Sequence, residues 1–357
     1  MTRRKLTRRI DVGALPAKDL AVLLADVREL IVQSREGVAR AVDAGLTTLY
    51  WHVGQRIRQD ILKEKRAEYG EQIVSALSAQ LEQEFGRGFG TRNLFRMVRF
   101  AEVFPDPKIV SALRTQLGWT HFREIIALDD PLKRDFYAEM CRLEGWSTRT
   151  LEKKIGSLLF ERTALSRKPA KLAEMELKQL REEDRITPDL IFRDPYILDF
   201  LGLKDAYAEK DLEAAILREM ESFILELGVG FCFVARQQRM QIDDRDYYLD
   251  LLFYHRKLRR LIAIDLKIGQ FEAADKGQME LYLGWLTRHA GEPDEAEPLG
   301  MILCAGKSAE HIALLELQKS GIHVASYWTD LLPKKELERK LHEAVRLARM
   351  RLGVAKD

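Results

Sequence analysis

The chain has 357 residues, 46% hydrophobic and 32% charged, with a formal net charge of +2. This composition provides core for two or three domains and excludes wholesale disorder. No apolar stretch approaches the roughly 20 residues of a membrane helix. The opening "MTRRKLTRRI" has no apolar run behind it to form a secretory signal.

Three scattered cysteines, Cys141, Cys232 and Cys304, lack CxxC spacing. They predict free thiols in a reducing, cytoplasmic compartment rather than disulfides or a zinc knuckle. Charge is divided unevenly. Residues 1–165 carry 28 Lys and Arg against 22 Asp and Glu, and residues 166–357 carry 30 against 34. The first part is therefore the better polyanion holder.

Residues 1–165 read as an all-helical domain. Apolar residues recur at spacings of three and four in 20–42, 46–62, 70–85, 91–104 and 147–165. Gly70, the "GRGFG" turn at 86–90, Pro105, Pro107 and Pro131 punctuate them. "GWTHF" at 118–122 and "GWSTR" at 145–149 each set Gly-Trp before a Thr or Ser that can cap a helix. "GRGFG" is a helix–helix turn, since it follows a helix and lacks the Lys-Ser/Thr of a phosphate loop.

After it, Arg92, Arg96 and Arg99 fall at i, i+4 and i+7 on one helix face, with Arg87 just ahead. With Arg149 and Lys153, and Arg123 as an extension, they form a candidate nucleic-acid surface. The alternative is an ordinary solvated face. The basic tip "MTRRKLTRR" is a candidate arm.

Residues 166–190 read as a charged helical linker and the start of an arm, "ITPDLIFRDPYILDFLGL", that packs on the next domain. From 209 the pattern changes to helix, three strands, helix, strand, helix, strand, helix. That order predicts an α/β domain over 191–357, a central mixed sheet flanked by helices, with the antiparallel strands first.

The stretch "DLLFYHRKLRRLIAIDLKIGQF", 250–271, holds the chemistry. Asp265 and Lys267 share a strand face by alternation, and a short turn brings Asp250 on the preceding strand beside them. Two carboxylates this close repel in a low dielectric unless a divalent cation lies between them. Hard oxygen ligands suit Mg²⁺ or Mn²⁺, with the Leu266 carbonyl as a further ligand. Lys267 can then hold the attacking water or neutralise a phosphoryl oxygen. The alternative is a structural Asp–Lys pair.

Glu213 lies on a stripe with Leu217, Met220 and Ile224 on the preceding helix and is a third candidate acid, with Glu221 as substitute. On the following helix Gln278 and Tyr282 form an i,i+4 pair. There the amide can orient a water or phosphate, with the ring beneath it. The seven histidines show no HxxxH pairing, so histidine ligation is not expected. His255 reads as a turn residue, and "DDRD" at 243–246 as a solvent-facing turn.

The series Glu213, Asp250, Asp265-Leu266-Lys267 and Gln278-xxx-Tyr282 resembles the PD-(D/E)XK nuclease superfamily, and the QxxxY element resembles its RecB-like branch. The wording is closer still to the YhcG-type bacterial proteins, in "LYWHVGQRI", "GFGTRNLFRM", "GWSTRTLEKKI", "DPYILDFLGL" and "YYLDLLFYHRKLRRLIAIDLK". The resemblance covers nearly the whole chain.

It implies a restriction-endonuclease-like domain after an all-α domain, and a Mg²⁺-dependent DNA endonuclease in repair, recombination or defence against mobile DNA. The family usually has Glu where this chain has Asp265. Many nucleases of the superfamily cut duplexes as dimers, so a homodimer is expected, although no heptad is long enough to assign its seam. A protein partner is compatible. The rival expectation is a DNA-binding or assembly protein on an inactive or partner-activated nuclease scaffold.

Overall fold

The computed structural model describes residues 17–64, 67–203, 208–329 and 334–351. The basic tip expected as an arm lies outside the described residues. The chain divides into two compact units between Ala127 and Leu128.

The first unit is helical: α1 (Ala17–Glu64), α2 (Ala67–Phe85), α3 (Thr91–Val103), α4 (Pro107–Leu113) and α5 (Trp119–Ile125). The sequence reading placed two helices over 20–62, whereas one helix of 48 residues runs through both. The intervening Asp-Ala-Gly holds no proline, and a single glycine costs a helix only about 1 kcal/mol. Its C-terminal part packs on α3 around Ile57, Val74, Leu94 and Met97. Gly54 is required there, because a Cβ at this position would meet the Met97 carbonyl oxygen at 1.8 Å. Trp51 Nε1 donates to the Phe104 carbonyl at 2.8 Å, which ties α1 to the end of α3. At the first Gly-Trp turn Gly118, not Thr120, precedes the helix, and its N–H donates to His121 Nδ1 at 3.2 Å.

The second unit begins with α6 (Pro131–Glu144), α7 (Thr148–Gly156), α8 (Leu159–Arg162) and α9 (Ala170–Glu183). The sequence reading draws its domain boundary at 165; by internal contacts α6, α7 and α8 group with the C-terminal part of the chain. Buried charge pairs are the physical reason. Glu139 of α6 accepts from Arg181 of α9 at 2.6 Å, and Arg162 of α8 reaches Glu226 at 2.5 Å. The expected linker is thus a packed helix, α9, burying Ala173, Leu177 and Leu180. Ser147 caps α7 as expected, accepting from Thr150 N.

The arm supplies α10 (Pro188–Ile191) and β1 (Tyr196–Ile197), which adds to a six-stranded sheet in the order β1-β6-β5-β4-β3-β2. The other strands are β2 (Phe231–Ile242), β3 (Arg245–His255), β4 (Arg260–Gln270), β5 (Leu299–Gly306) and β6 (Ile322–Trp328). β2, β3 and β4 form an antiparallel meander, while β5, β6 and β1 continue it in parallel. This is the mixed sheet that the order of elements predicts.

Helices cover both faces. α11 (Glu209–Arg218) and α12 (Met220–Leu227) pack Leu212, Ile216 and Phe223 against Ile262, Ile264 and Leu266. α13 (Ala273–His289) packs Met279, Tyr282 and Leu286 against Ala263 and Ile302, joined by Ile312 of α14 (Ala309–Leu314). In the closing helix, α15 (Lys334–Arg351), Leu337 and Leu341 bury against Leu158.

Three expectations need correction. The helix expected over 209–228 breaks at Glu219, so Glu213 does not continue a straight stripe to Met220 and Ile224. The helix expected over 309–320 ends at Leu314, before Glu316 takes a φ of 46°. His255 is no exposed turn residue but the buried last residue of β3, where its Nδ1 accepts from Leu258 N at 3.1 Å. Burial pushes its pKa down to about 4.

Candidate active site

The β3–β4 hairpin sets the geometry. Its ladder pairs His255 with Arg260 and continues to Leu251 with Ile264. Asp250 and Asp265 lie just past that last pair, each the next residue on its strand. Asp265 lies on α13's face, since Ala263 two residues earlier packs with Met279 and Tyr282.

The backbone ladder stops there, and side chains take over. Asp250 Oδ2 accepts from Leu266 N at 2.8 Å, which locks the carboxylate to the neighbouring strand. Strand geometry turns the Leu266 carbonyl to the same edge as its N–H. Asp265 is 3% exposed. Its Oδ2 lies 2.9 Å from Lys267 Nζ, without the angle of a hydrogen bond. Burial raises the Asp265 pKa to about 6. Lys267 opposes that shift, and the nearby charges of Asp250 and Asp275 add to it. Burial works against the Lys267 ammonium, but Asp265, Glu209 and Asp275 outweigh it and raise its pKa.

Glu213 joins indirectly. Gln237 Nε2 donates to Glu213 Oε2 at 3.1 Å and to Asp250 Oδ1 at 3.0 Å. Gln237 adopts a φ of 44° within β2. Sequence reasoning missed it, although a signal existed. Counting back from the two-residue turn that pairs Ile242 with Arg245 sets Gln237 opposite Asp250. Glu221 lies exposed in the first turn of α12.

Gln278 and Tyr282 form the expected pair, but the amide is already engaged. Gln278 Nε2 donates to the Tyr282 hydroxyl at 2.6 Å, and that hydroxyl donates to the Tyr248 carbonyl at 3.0 Å. The pair therefore braces α13 against β3 beside the acids.

Among the described residues no three Asp, Glu, His or Cys side chains converge as a ready metal cage. The residues still fit a divalent cation at Asp250 and Asp265. Asp265 keeps a buried oxygen without a hydrogen bond, and the charge of Asp250 adds to the cost of ionising it. Glu213 stands behind Gln237 rather than beside them.

A cavity of about 340 Å³ elsewhere in the second unit is lined by Arg167, Lys168, Asp194, Lys307 and His323. Arg167 and Lys307 both pair with Asp194, and Lys168 with Glu176 and Asp189. Its cations are neutralised, so it does not compete for a phosphodiester.

The cations expected to form one nucleic-acid surface fall in both units. Arg87, Arg92, Arg96 and Arg99 lie in the first, with Arg149 and Lys153 exposed on α7 in the second. Arg96 is half-buried, and its pKa is lowered by burial, then by Arg123 and Arg92, with Glu124 opposing. Arg123 Nε is buried without a hydrogen-bond partner. Arg99 pairs with Glu102 at 3.1 Å.

Two stretches of the chain match known families. Residues 26–162 match the DUF1016 N-terminal domain, and residues 189–342 match the YhcG PDDEXK nuclease domain. The chain is 35% identical over 344 residues to YhcG of Escherichia coli (strain K12), a protein ascribed a nuclease activity. The match covers 87% of this chain and 91% of that protein.

Among solved structures, a repair endonuclease from Pyrococcus abyssi is 20% identical, with a TM-score of 0.25. That match covers 36% of this chain and half of the other. EndoMS in its apo form is 17% identical, with a TM-score of 0.24, and the match covers 36% of this chain and 49% of that one. The chain belongs to the YhcG family, with a PD-(D/E)XK nuclease domain behind a DUF1016 N-terminal domain.

Proposed function

We propose that this nuclease is a Mg²⁺- or Mn²⁺-dependent endonuclease that hydrolyses DNA phosphodiester bonds at Asp250, Asp265 and Lys267. The observation that carries the reading is the Asp250 carboxylate bonded to the backbone N–H of Leu266, between Asp265 and Lys267, with the Lys267 ammonium 2.9 Å from Asp265. A bound ion, held by Asp250, Asp265 and the Leu266 carbonyl, supplies neutralising charge to the phosphoryl group. Lys267 donates to the attacking water or to a phosphoryl oxygen. Leu266 N and Gln237 hold the Asp250 carboxylate in place, Gln237 carries Glu213 toward it, and Gln278 with Tyr282 braces the helix beside them.

DNA is held electrostatically. Arg92, Arg96 and Arg123 crowd like charge around a partly desolvated guanidinium, an arrangement that a phosphate would relieve. Arg87, Arg99, Arg149 and Lys153 extend the contact surface. Residues 1–165 act as the DNA-binding domain and 191–357 as the catalytic one. Among the described residues no helix is long and apolar enough to cross a membrane. Free Cys141, Cys232 and Cys304 suit the cytoplasm. Cutting both strands of a duplex favours a homodimer.

The test is a cleavage assay with Mg²⁺ or Mn²⁺ on supercoiled plasmid, linear duplex, single strands, branched DNA and RNA, with Asp250→Ala alongside. Cutting of DNA by the parent and not by the variant is expected. No cutting of any substrate, with binding intact, would move the reading to a DNA-binding or assembly scaffold.

A further inference from the structure

The most conspicuous unassigned surface is on α1. Leu24, Val27, Leu30, Ile31, Val32, Val38, Val42, Leu46 and Leu49 are all exposed. Six of them, Leu24, Val27, Ile31, Val38, Val42 and Leu49, recur at intervals of three, four or seven residues along one side. The opposite side of the same helix reads Asp26, Glu29, Gln33, Glu36, Arg40 and Asp43. It then continues into the packed positions Thr47, Trp51 and Gly54. The apolar side is therefore a separate face and not an extension of the unit's core.

We infer that this stripe is the seam through which two copies of the chain pair as an α-helical coiled coil. The inference deepens the homodimer reading above, on which it rests, by naming its surface. Residues 24–49 span about 39 Å at 1.5 Å per residue. A seam of that length needs a helical partner of matching length and period. Among the described elements α1 has 48 residues and the next longest helix, α2, has 19, so a second α1 is the partner that fits.

A stripe paired with itself is also the isologous interface that closes as a dimer. Ser34 and Arg35 occupy the turn between Ile31 and Val38, and Arg28 lies beside the stripe one turn earlier. Gly45, on the stripe side, has open space beside it, which lets two backbones approach. The chain's own tip is a poor occupant, because "MTRRKLTRRI" holds five cations in ten residues and the stripe offers no acid to receive them.

The test is sedimentation of the full chain and of the Ile31→Glu/Val38→Glu variant over a concentration series. The parent should sediment as a dimer. The variant, with unchanged helix content, should be a monomer or weaken the dimer by at least 100-fold. A parent that stays monomeric at tens of micromolar would overturn the homodimer reading itself. A variant that stays dimeric would overturn only the assignment to α1.

Should the double variant fail to fold, Val38→Cys in a Cys232→Ser background keeps the question decidable, since Cys141 and Cys304 are buried. Mild oxidation should then yield a species of twice the 41.2 kDa chain mass, and its absence in a dimeric sample would overturn the seam.

Discussion

Asp250 is fastened to the strand beside it: its Oδ2 accepts the backbone N–H of Leu266 at 2.8 Å. The bond takes the place of a ladder rung at the point where β3 and β4 stop pairing, and it orients the carboxylate before any substrate arrives. Asp250→Asn keeps the size of the side chain but removes the charge and one accepting oxygen. Plasmid cleavage with Mg²⁺ should fall by at least about 100-fold, the size of effect seen when one preorganised electrostatic partner is lost. DNA affinity should stay within a factor of two. Cleavage within tenfold of the parent would show that Asp250 is not in the reacting group.

Gln237 supplies the outer support. It bonds both Glu213 and Asp250, so Gln237→Ala should loosen the acids without removing one. Outer partners of metal ligands cost about 10- to 100-fold in affinity or activity. A Mg²⁺ titration of cleavage should therefore shift to higher concentration, with much of the rate recovered at saturation. A reduced plateau with an unmoved midpoint would place Gln237 on the substrate and not behind the ion.

The Asp265 carboxyl titrates near 6, above its ordinary 3.8. Between those values the folded chain binds a proton that the unfolded chain has released. Its contribution to stability is therefore greatest below pH 4 and is lost as pH rises through 6, by an amount on the order of 3 kcal/mol. In metal-free buffer the Tm of Asp265→Asn, relative to the parent, should climb as pH rises from 4 to 7. Adding Mg²⁺ at pH 7.5 should then raise the Tm of the parent and not of the variant. A Tm difference that is flat with pH would mean that Asp265 is ionised across the whole range.

Much of this was legible in the sequence because strand alternation and short turns are local. The run from Arg260 to Lys267 is apolar apart from its ends and Asp265, so the strand and the nearness of Asp250 to it at one end of the hairpin follow from counting. Gln237 was countable too, yet its side chain carries no charge to draw notice. What could not be read locally was decided by distant partners. α9 looks like a solvated linker until Glu139, 42 positions away, takes Arg181. The break at Glu219 follows no proline or glycine, and α1 stays continuous through Gly45 because nothing nearby stops it. His255 looked like a turn residue because its burial beneath the loop at Gly230 depends on β2 folding back.

Salt dependence addresses the first unit. Each lost phosphate contact should lower the slope of log affinity against log salt by about 0.9 on duplex DNA. Arg92→Gln and Arg96→Gln should each flatten the slope by about one. Arg99→Gln should change it less, because Glu102 already holds part of that charge. Identical slopes for all three variants and the parent would return this helix face to ordinary solvated surface.

The last prediction concerns what holds α8 to the nuclease domain. Glu226 of α12 lies between Arg162 at 2.5 Å and Arg193 at 3.3 Å, and it also accepts from Ile197 N at 3.0 Å. Burial alone would raise its pKa. The two guanidiniums and the backbone donor reverse that and hold it below the usual carboxylate range. Arg162 is 1% exposed and cannot turn to water if its partner is removed. Breaking a buried pair from one side costs about 3–5 kcal/mol, because the remaining charge stays buried and unpaired. Glu226→Ala should therefore lower the urea midpoint of the second unit sharply. In the parent the depressed pKa makes this contribution present above the unfolded value, and it is lost as pH falls through the folded one. Arg162→Met together with Glu226→Leu should recover part of the loss, since Arg162 is no longer stranded and only Arg193 is left without this partner. A double variant no more stable than Glu226→Ala would mean that packing, and not the stranded charge, sets the cost.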